Sequence, residues 1–242
     1  MSFKRIKPGW YVLIFALLYG LVVTTTLNRS NRRLQNLQGQ IEAEPEVLEP
    51  EPSLAPEGLW FPIPGATLPQ DENYLPGAPR IYRRGVNQGF DFYSGDAGIP
   101  IPYGAPVIAA DNGSIVRVDN DYSELSPEAW QQLLSEVAAS GATDEQLNRL
   151  RGRQIWLRTG DGTILRYGHL SSIADGLLVG QDVYRGQVVG YVGNSGTEDG
   201  NAGTRRGARL HFEVWPNEDS FFGQDLSPAE LRQAAADLFV GP

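Results

Sequence analysis

The sequence contains no cysteine and only two histidines, His169 and His211. The absence of cysteine excludes disulfide bonds and thiolate metal sites. Any metal ion would have to be held by histidine, aspartate, glutamate or asparagine side chains. Each of the two histidines is therefore a candidate site residue in its own right.

Basic residues are fewer than acidic residues. Lysine and arginine number 20 against 29 acidic residues, which gives a formal net charge of −9. This balance argues against a nucleic-acid or other polyanionic partner, because phosphate binding needs clustered cations. With 242 residues, 41% of them hydrophobic, the chain is long enough for one well-buried domain and additional segments.

The N-terminal region contains the longest apolar run. Residues 10–27 (WYVLIFALLYGLVVTTTL) follow a short tail, residues 1–9, and are apolar apart from three threonines. They are long enough to cross a bilayer core as a helix, which predicts a single transmembrane anchor. A cleaved signal peptide is the main alternative, because the preceding KRIK resembles a basic n-region; a buried helix is another. The run is not followed by a small-x-small cleavage site, which favours a retained anchor.

Residues 28–58 change from basic to acidic and are rich in proline. They contain too few apolar residues to fold independently. We expect an extended linker between the anchor and the following domain.

Residues 59–220 show short β-type runs separated by glycine. The dipeptide Asp161-Gly162 joins two alternating runs and is a strong β-hairpin signal. The pattern predicts a mainly β domain, folded as an antiparallel sandwich or a partly open barrel.

Two helical segments interrupt or follow this pattern. Residues 124–152 are predicted to be a helical hairpin, with Ser126 as an N-cap, a capping box formed by Thr143 and Gln146, and Gly152 as the stop. Residues 221–242 contain a C-terminal helix that begins at a similar SPAE sequence. Both are expected to pack against the domain, and the insertion could also serve as a lid or a docking surface.

The stretch GARLHFEVW, Gly207–Trp215, is predicted to be a β-strand with one apolar and one polar face. The apolar set is Leu210, Phe212 and Val214, and the polar set is Arg209, His211 and Glu213. The polar face could be catalytic, a degenerate site or simply solvated. Glu213 is interpreted as a surface charge or as a partner of an arginine such as Arg166, with a histidine as a further possibility.

Four motifs occur in the order NQGFDF, YGAPVIAADNGSIV, YGHLS and LHFEV, with GQVVGYVGNSG between the last two. This series resembles the lysostaphin/LytM-type peptidoglycan metallopeptidases, zinc-dependent proteins built on the duplicated hybrid motif. The resemblance extends from about residue 59 to residue 215 and is interrupted by the helical insertion. It implies an antiparallel β fold and a site that faces the cell wall.

The resemblance also implies roles for particular residues. In the family, a histidine and an aspartate of the first motif and the second histidine of an H-x-H strand bind zinc, and two further histidines assist catalysis. Asp91 and His211 occupy two ligand positions, and His169 occupies a catalytic position. Asn87 replaces the remaining ligand histidine, and Arg209 replaces the catalytic histidine that opens H-x-H.

Both replacements weaken a zinc site. Asparagine offers a neutral carbonyl in place of imidazole, and arginine neither ligates zinc nor acts as a base. We hypothesise that Arg209 pairs with Asp91 as a metal-free substitute for the zinc site; the alternative is that Arg209 points into solvent. His169 and His211 could then persist as hydrogen-bonded packing residues.

The resemblance, with its two replaced site residues, implies a catalytically inactive domain outside the cytoplasm, and the apolar run at residues 10–27 predicts its membrane anchor. It would bind peptidoglycan or regulate cell-wall hydrolases, as some degenerate relatives do, so its partner would be peptidoglycan or a hydrolase or division protein. No cofactor is expected, and zinc only if the domain is active. The alternative is an active zinc endopeptidase with altered ligation, for which Asp96 is the nearest acidic substitute. A wall-glycan spacer module is a third possibility, and a phosphocarrier is a more distant one.

Overall fold

The computed structural model describes residues 58–241. The predicted tail, the anchor at 10–27 and nearly all of the predicted linker lie outside the described residues. Within residues 58–241, no helix combines the length and apolarity needed to cross a membrane.

The described residues form eleven β-strands and four α-helices, together with 3₁₀ turns at Glu72–Tyr74 and Ile81–Arg83. The strands are β1 (Pro79–Arg80), β2 (Gly85–Val86), β3 (Phe90–Tyr93), β4 (Pro106–Ile108), β5 (Gly113–Val118), β6 (Ile155–Thr159), β7 (Ile164–Gly168), β8 (Leu170–Ile173), β9 (Asp182–Val183), β10 (Val188–Val192) and β11 (Arg209–Trp215). The helices are α1 (Pro127–Ser140), α2 (Asp144–Arg151), α3 (Glu198–Asn201) and α4 (Pro228–Leu238).

Two antiparallel sheets enclose the core. A six-stranded sheet has the order β3-β11-β7-β6-β5-β9, and a three-stranded sheet has the order β4-β10-β8. Apolar side chains of both sheets, such as Phe212 of β11 and Val107 of β4, belong to one buried cluster. Each buried side chain of this kind contributes about 1.5–3 kcal/mol of transfer free energy. The prediction of a mainly antiparallel β domain is confirmed.

The β6–β7 connection is the hairpin predicted from Asp161-Gly162. Leu157 of β6 lies opposite Leu165 of β7 across the antiparallel pair. Gly162 has φ of 92°, a left-handed conformation that glycine adopts without steric cost. The two central strands of the large sheet are therefore joined by a local turn.

The insertion between β5 and β6 is the predicted helical hairpin. Ser126 Oγ accepts the Ala129 N–H at 3.2 Å and caps α1, and Thr143 and Gln146 form the expected capping box of α2. Gly152 ends α2 with φ of 71°. The two helices share a small apolar cluster of their own that includes Trp130, Leu133, Val137 and Leu150.

The C-terminal helix α4 packs into the main core. Ser227 and Glu230 form a capping box at its start, and Leu231, Ala235 and Leu238 are buried. These side chains belong to the same cluster as those of the two sheets. The C-terminal segment thus completes the β domain.

Candidate functional site

Strand β11 presents its polar residues between β3 and β7. His211 lies opposite Asp91 of β3, and Glu213 lies opposite Arg166 of β7. The other face of the strand is the apolar set Leu210, Phe212 and Val214, whose exposures are 0%, 0% and 1%. Alternation along one strand therefore separates the core from the candidate site, as predicted.

His169 reaches the same site from the junction between β7 and β8. Its φ of 58° is left-handed, a conformation in which non-glycine residues are uncommon. The backbone N–H of His169 donates to the Arg151 carbonyl at 2.7 Å, which anchors this turn to the end of α2. The helical insertion therefore helps to position the histidine.

Asp91 is buried and accepts four hydrogen bonds. Oδ1 accepts from Arg209 Nε at 3.3 Å and His211 Nδ1 at 2.9 Å, and Oδ2 accepts from Arg80 Nη2 at 2.8 Å and Asn87 Nδ2 at 3.2 Å. Burial alone would raise the pKa of Asp91, but His211 and Arg209 hold it well below its usual range. The contact hypothesised between Arg209 and Asp91 is present, and the solvent-pointing alternative for Arg209 is wrong.

Arg209 also contacts His169. Its Nη2 donates to His169 Nε2 at 2.7 Å, while His169 Nδ1–H donates to the Ser195 carbonyl at 2.7 Å. These two partners require the neutral imidazole with its proton on Nδ1. Burial and the positive charge of Arg209 hold the pKa of His169 well below its usual range.

His211 has the opposite protonation state. Its Nδ1 contacts Asp91 Oδ1, and its Nε2 contacts Glu213 Oε1, each at 2.9 Å. Both nitrogens therefore donate, as in an imidazolium. Burial lowers the pKa of His211, but the two carboxylates outweigh burial and raise it above its ordinary value.

Glu213 is a buried charge at the centre of the polar face, only 1% exposed. Besides His211, it accepts from Arg151 Nε at 2.6 Å and Trp215 Nε1 at 2.6 Å, and Arg166 Nη1 lies at 3.5 Å. Burial raises the pKa of Glu213, but Arg151 and His211 lower it well below its usual range. The surface-charge interpretation is wrong, because the side chain of Arg151, at the end of α2, reaches this face of the sheet.

A pocket of about 320 Å³ opens on this network. Its lining contains the five site residues selected from the sequence: Asn87, Asp91, His169, Arg209 and His211. It also contains residues that the sequence did not single out, including Arg80, Arg83, Trp130, Leu134, Leu150 and Arg151. The presence of arginines at this site could have been predicted only from the general rule that a buried carboxylate without a metal needs a cation as its partner.

Asp96 does not line this pocket. Its carboxylate accepts the backbone N–H groups of Gln70 at 3.0 Å and Asp71 at 3.1 Å. It therefore supports a surface loop. The geometry does not support Asp96 as a substitute ligand.

The donor set does not fit a zinc ion. His211 has no free lone pair while both ring nitrogens donate to carboxylates, and both oxygens of Asp91 are occupied by donors. Asn87 turns its NH₂ group toward Asp91, and Arg209 places a fixed positive charge beside the same carboxylate. Within residues 58–241, no group of three or more histidine, cysteine, aspartate or glutamate side chains is arranged to hold a metal.

In this antiparallel β domain, histidine and aspartate side chains meet at the end of the large sheet formed by β3 and β11. Residues 135–222 match the family model described as Peptidase family M23. The resemblance to lysostaphin/LytM-type proteins is thereby confirmed over this part of the chain. No curated protein matches the chain.

Solved structures similar to this chain include three bacterial peptidases. A zinc-containing peptidase from Vibrio cholerae is 19% identical, with a TM-score of 0.42, and the match covers 66% of this chain and 37% of the other. The lysostaphin catalytic domain from Staphylococcus simulans is 25% identical, with a TM-score of 0.36 and coverage of 58% and 74%. A putative glycyl-glycine endopeptidase from Ruminococcus gnavus is 19% identical, with a TM-score of 0.43 and coverage of 77% and 63%. The chain thus spans little more than a third of the Vibrio cholerae protein.

Proposed function

We propose that this M23-type domain is a non-hydrolytic binding domain for peptidoglycan at the cell envelope, and that it acts there as a regulator of separate cell-wall hydrolases. Residues 10–27 would anchor it in the cell membrane, and the acidic linker would let the domain extend outside the cytoplasm. The domain would work without a cofactor.

The observation that carries this proposal is the hydrogen bonding of His211. A zinc ligand needs an unprotonated ring nitrogen, but both nitrogens of His211 contact carboxylates at 2.9 Å. A metal at this site would need the Asp91 carboxylate free of competing cations. The guanidinium of Arg209 instead contacts that carboxylate. The family position is thus occupied by an internal charge network.

The pocket supports binding in the absence of hydrolysis. Its volume of about 320 Å³ lies in the range typical of small-ligand sites. Leu134 and Trp130 from α1 supply apolar lining, and Arg80 supplies charge. The pocket can therefore receive a ligand at a site where Asn87 replaces one of the three ligand residues that the family resemblance implies.

Co-sedimentation of the full-length chain with purified sacculi tests this function. We expect the protein to sediment with the sacculi, to release no soluble wall fragments alone, and to be unaffected by chelators. Addition of a candidate amidase should then increase fragment release above that of the amidase alone. Release of fragments by the chain alone, abolished by chelation, would show an active endopeptidase.

A matched pair of variants ties binding to the pocket. Leu134→Arg introduces a bulky cation into the pocket lining, whereas Leu178→Arg makes the same change at a side chain that is 64% exposed. We expect Leu134→Arg to lose most of the sacculus binding and Leu178→Arg to keep it. Equal binding by both variants would place the wall-binding surface elsewhere on the domain.

A further inference from the structure

Two buried side-chain donors on the lining of the pocket have no hydrogen-bond partner. Arg83 Nε and Trp130 Nε1 are both inaccessible and unpaired, in residues that are only 8% and 5% exposed. A buried donor without an acceptor costs about 1–3 kcal/mol, so native structures rarely leave one unpaired without a reason. Both N–H groups therefore lack a hydrogen-bond acceptor.

Arg83 is also the one lining arginine that has no carboxylate partner. Arg80 and Arg209 contact Asp91 at 2.8 and 3.3 Å, and Arg151 contacts Glu213 at 2.6 Å. Arg83 donates only to a backbone carbonyl, that of Val86, at 2.5 Å from Nη2.

The remaining carboxylate of the lining, Glu198, is exposed and makes no ion pair with Arg83. Burial lowers the pKa of Arg83, and the nearby Glu213 offsets this only in part; Arg83 nevertheless stays cationic because arginine titrates so far above neutrality. The pocket therefore contains a buried cation that makes no ion pair within the described residues.

Apolar groups lie beside this cation. The ring of Trp130 and the side chains of Leu134 and Leu150 line the same pocket. Helix α1, which carries the first two, packs against the turn Ile81–Arg83. A ligand that satisfies this combination has an anionic acceptor joined directly to a small apolar group.

We propose that the pocket binds the free carboxylate end of a short wall peptide whose last residue is small and apolar. The carboxylate accepts from the Arg83 guanidinium and from Trp130 Nε1–H, and the terminal side chain contacts Leu134 and Leu150. Both nitrogens are shielded in the ligand-free pocket, so binding requires the side chains of Arg83 and Trp130 to rotate toward the ligand. A carboxylate is favoured because a planar pair of oxygens matches the guanidinium fork.

This inference rests on the proposed function, since it names the wall component that the binding domain recognises. It also assigns a role to the helical insertion, which supplies Trp130. No covalent step is involved, and the carboxylate occupies the pocket as an ion-pair partner.

Calorimetry with the full-length chain tests the inference using matched peptides. The probes are an acetylated tripeptide that ends in D-alanine with a free carboxylate, the same peptide as its C-terminal amide, and both forms ending in L-alanine. We expect the D-alanine acid to bind at least about 10-fold more tightly than its amide, the loss typical of a missing charged hydrogen bond. Equal affinity for acid and amide would overturn the inference, and exclusive binding of the L-alanine acid would indicate a protein tail in place of a wall peptide.

Variants separate the two donors from general effects on folding. Trp130→Phe keeps an aromatic ring and removes the N–H, and Arg83→Gln removes the charge. Each should weaken binding of the acid about 10-fold or more and leave the amide nearly unchanged. The controls, Trp60→Phe and Arg84→Gln, make the same changes at residues outside the pocket lining and should bind as the wild type does.

The outcomes distinguish this inference from the proposed function. If Arg83→Gln fails to fold, the binding affinity of Trp130→Phe is the deciding measurement. This variant keeps an aromatic ring at position 130 and removes only the N–H donor. Sacculus binding without discrimination between acid and amide, or without an effect of Trp130→Phe, would overturn the inference and leave the proposed function standing. Loss of sacculus binding by the wild type would overturn the proposed function itself.

Discussion

Glu213→Gln should lower the free energy of unfolding by about 3–5 kcal/mol, the usual cost of removing one partner from a buried ion pair. The carboxylate is only 1% exposed, and its partners Arg151, His211 and Trp215 all donate to it. A glutamine turns its NH₂ group toward one of these donors and leaves the Arg151 charge uncompensated. Urea denaturation of the two proteins at neutral pH measures the difference.

The control for this variant is Glu218→Gln, the same chemical change at an exposed residue five positions further along the chain. We expect it to alter the free energy of unfolding by less than about 0.5 kcal/mol. A similar small effect for Glu213→Gln would show that the buried network does not stabilise the domain.

The pH dependence of the same measurement gives an independent check. The folded pKa of Glu213 lies below its unfolded value, so the carboxylate contributes stability at pH values above about 4.3. This contribution is lost as the pH falls through the folded pKa. The difference between wild type and Glu213→Gln should therefore shrink as the pH is lowered from about 7 to about 3, whereas a difference that grows on acidification would contradict the assigned charge state.

Asn87→His combined with Arg209→His should create a zinc site with about one zinc per chain. Asn87 Nδ2 lies 3.2 Å from Asp91 Oδ2, so an imidazole at this position starts beside the required carboxylate. Loss of Arg209 removes the guanidinium that contacts Asp91 at 3.3 Å and restores the H-x-H pattern on β11. Zinc should compete successfully with Arg80 and His211 for the Asp91 carboxylate, because it replaces the positive charge that is lost with Arg209.

Metal analysis after dialysis against zinc measures this gain. The matched control is Asn120→His with Arg205→His, which adds two histidines at exposed positions outside the pocket lining. We expect this control to bind no more zinc than the wild type. If the double variant at the site gains no more zinc than its control, the lost ligands are not what prevents metal binding.

The local features of this fold were predictable because their causes lie within a few residues. Ser126 and the pair Thr143 and Gln146 cap helices through contacts three positions apart, and Asp161-Gly162 sets a tight turn. The alternation along β11 likewise placed Phe212 in the core. Local patterns of this kind are enough to predict the helix start, the turn or the strand in which they occur.

The environment of the site was harder to predict because it depends on distant segments. Glu213 was interpreted as a surface charge or as a partner of an arginine such as Arg166; Arg166 does lie 3.5 Å from it, but the closer partner is Arg151, 62 residues earlier in the chain, which covers it from the helical insertion. Arg80 reaches Asp91 because a short hairpin, β1–β2, places it there. The ligand positions were inferred from the family resemblance and remain a prediction, whereas the cations that contact Asp91 and Glu213 depend on tertiary packing.

The central claim is that the charge network around Asp91 and His211 occupies the family's zinc position. Metal analysis of the wild-type chain after saturation with zinc and dialysis tests it most directly, with His211→Ala analysed in parallel. We predict a zinc content far below one per chain that does not change in His211→Ala. A content of one zinc per chain that is lost in His211→Ala would contradict the claim and indicate an intact metallopeptidase site.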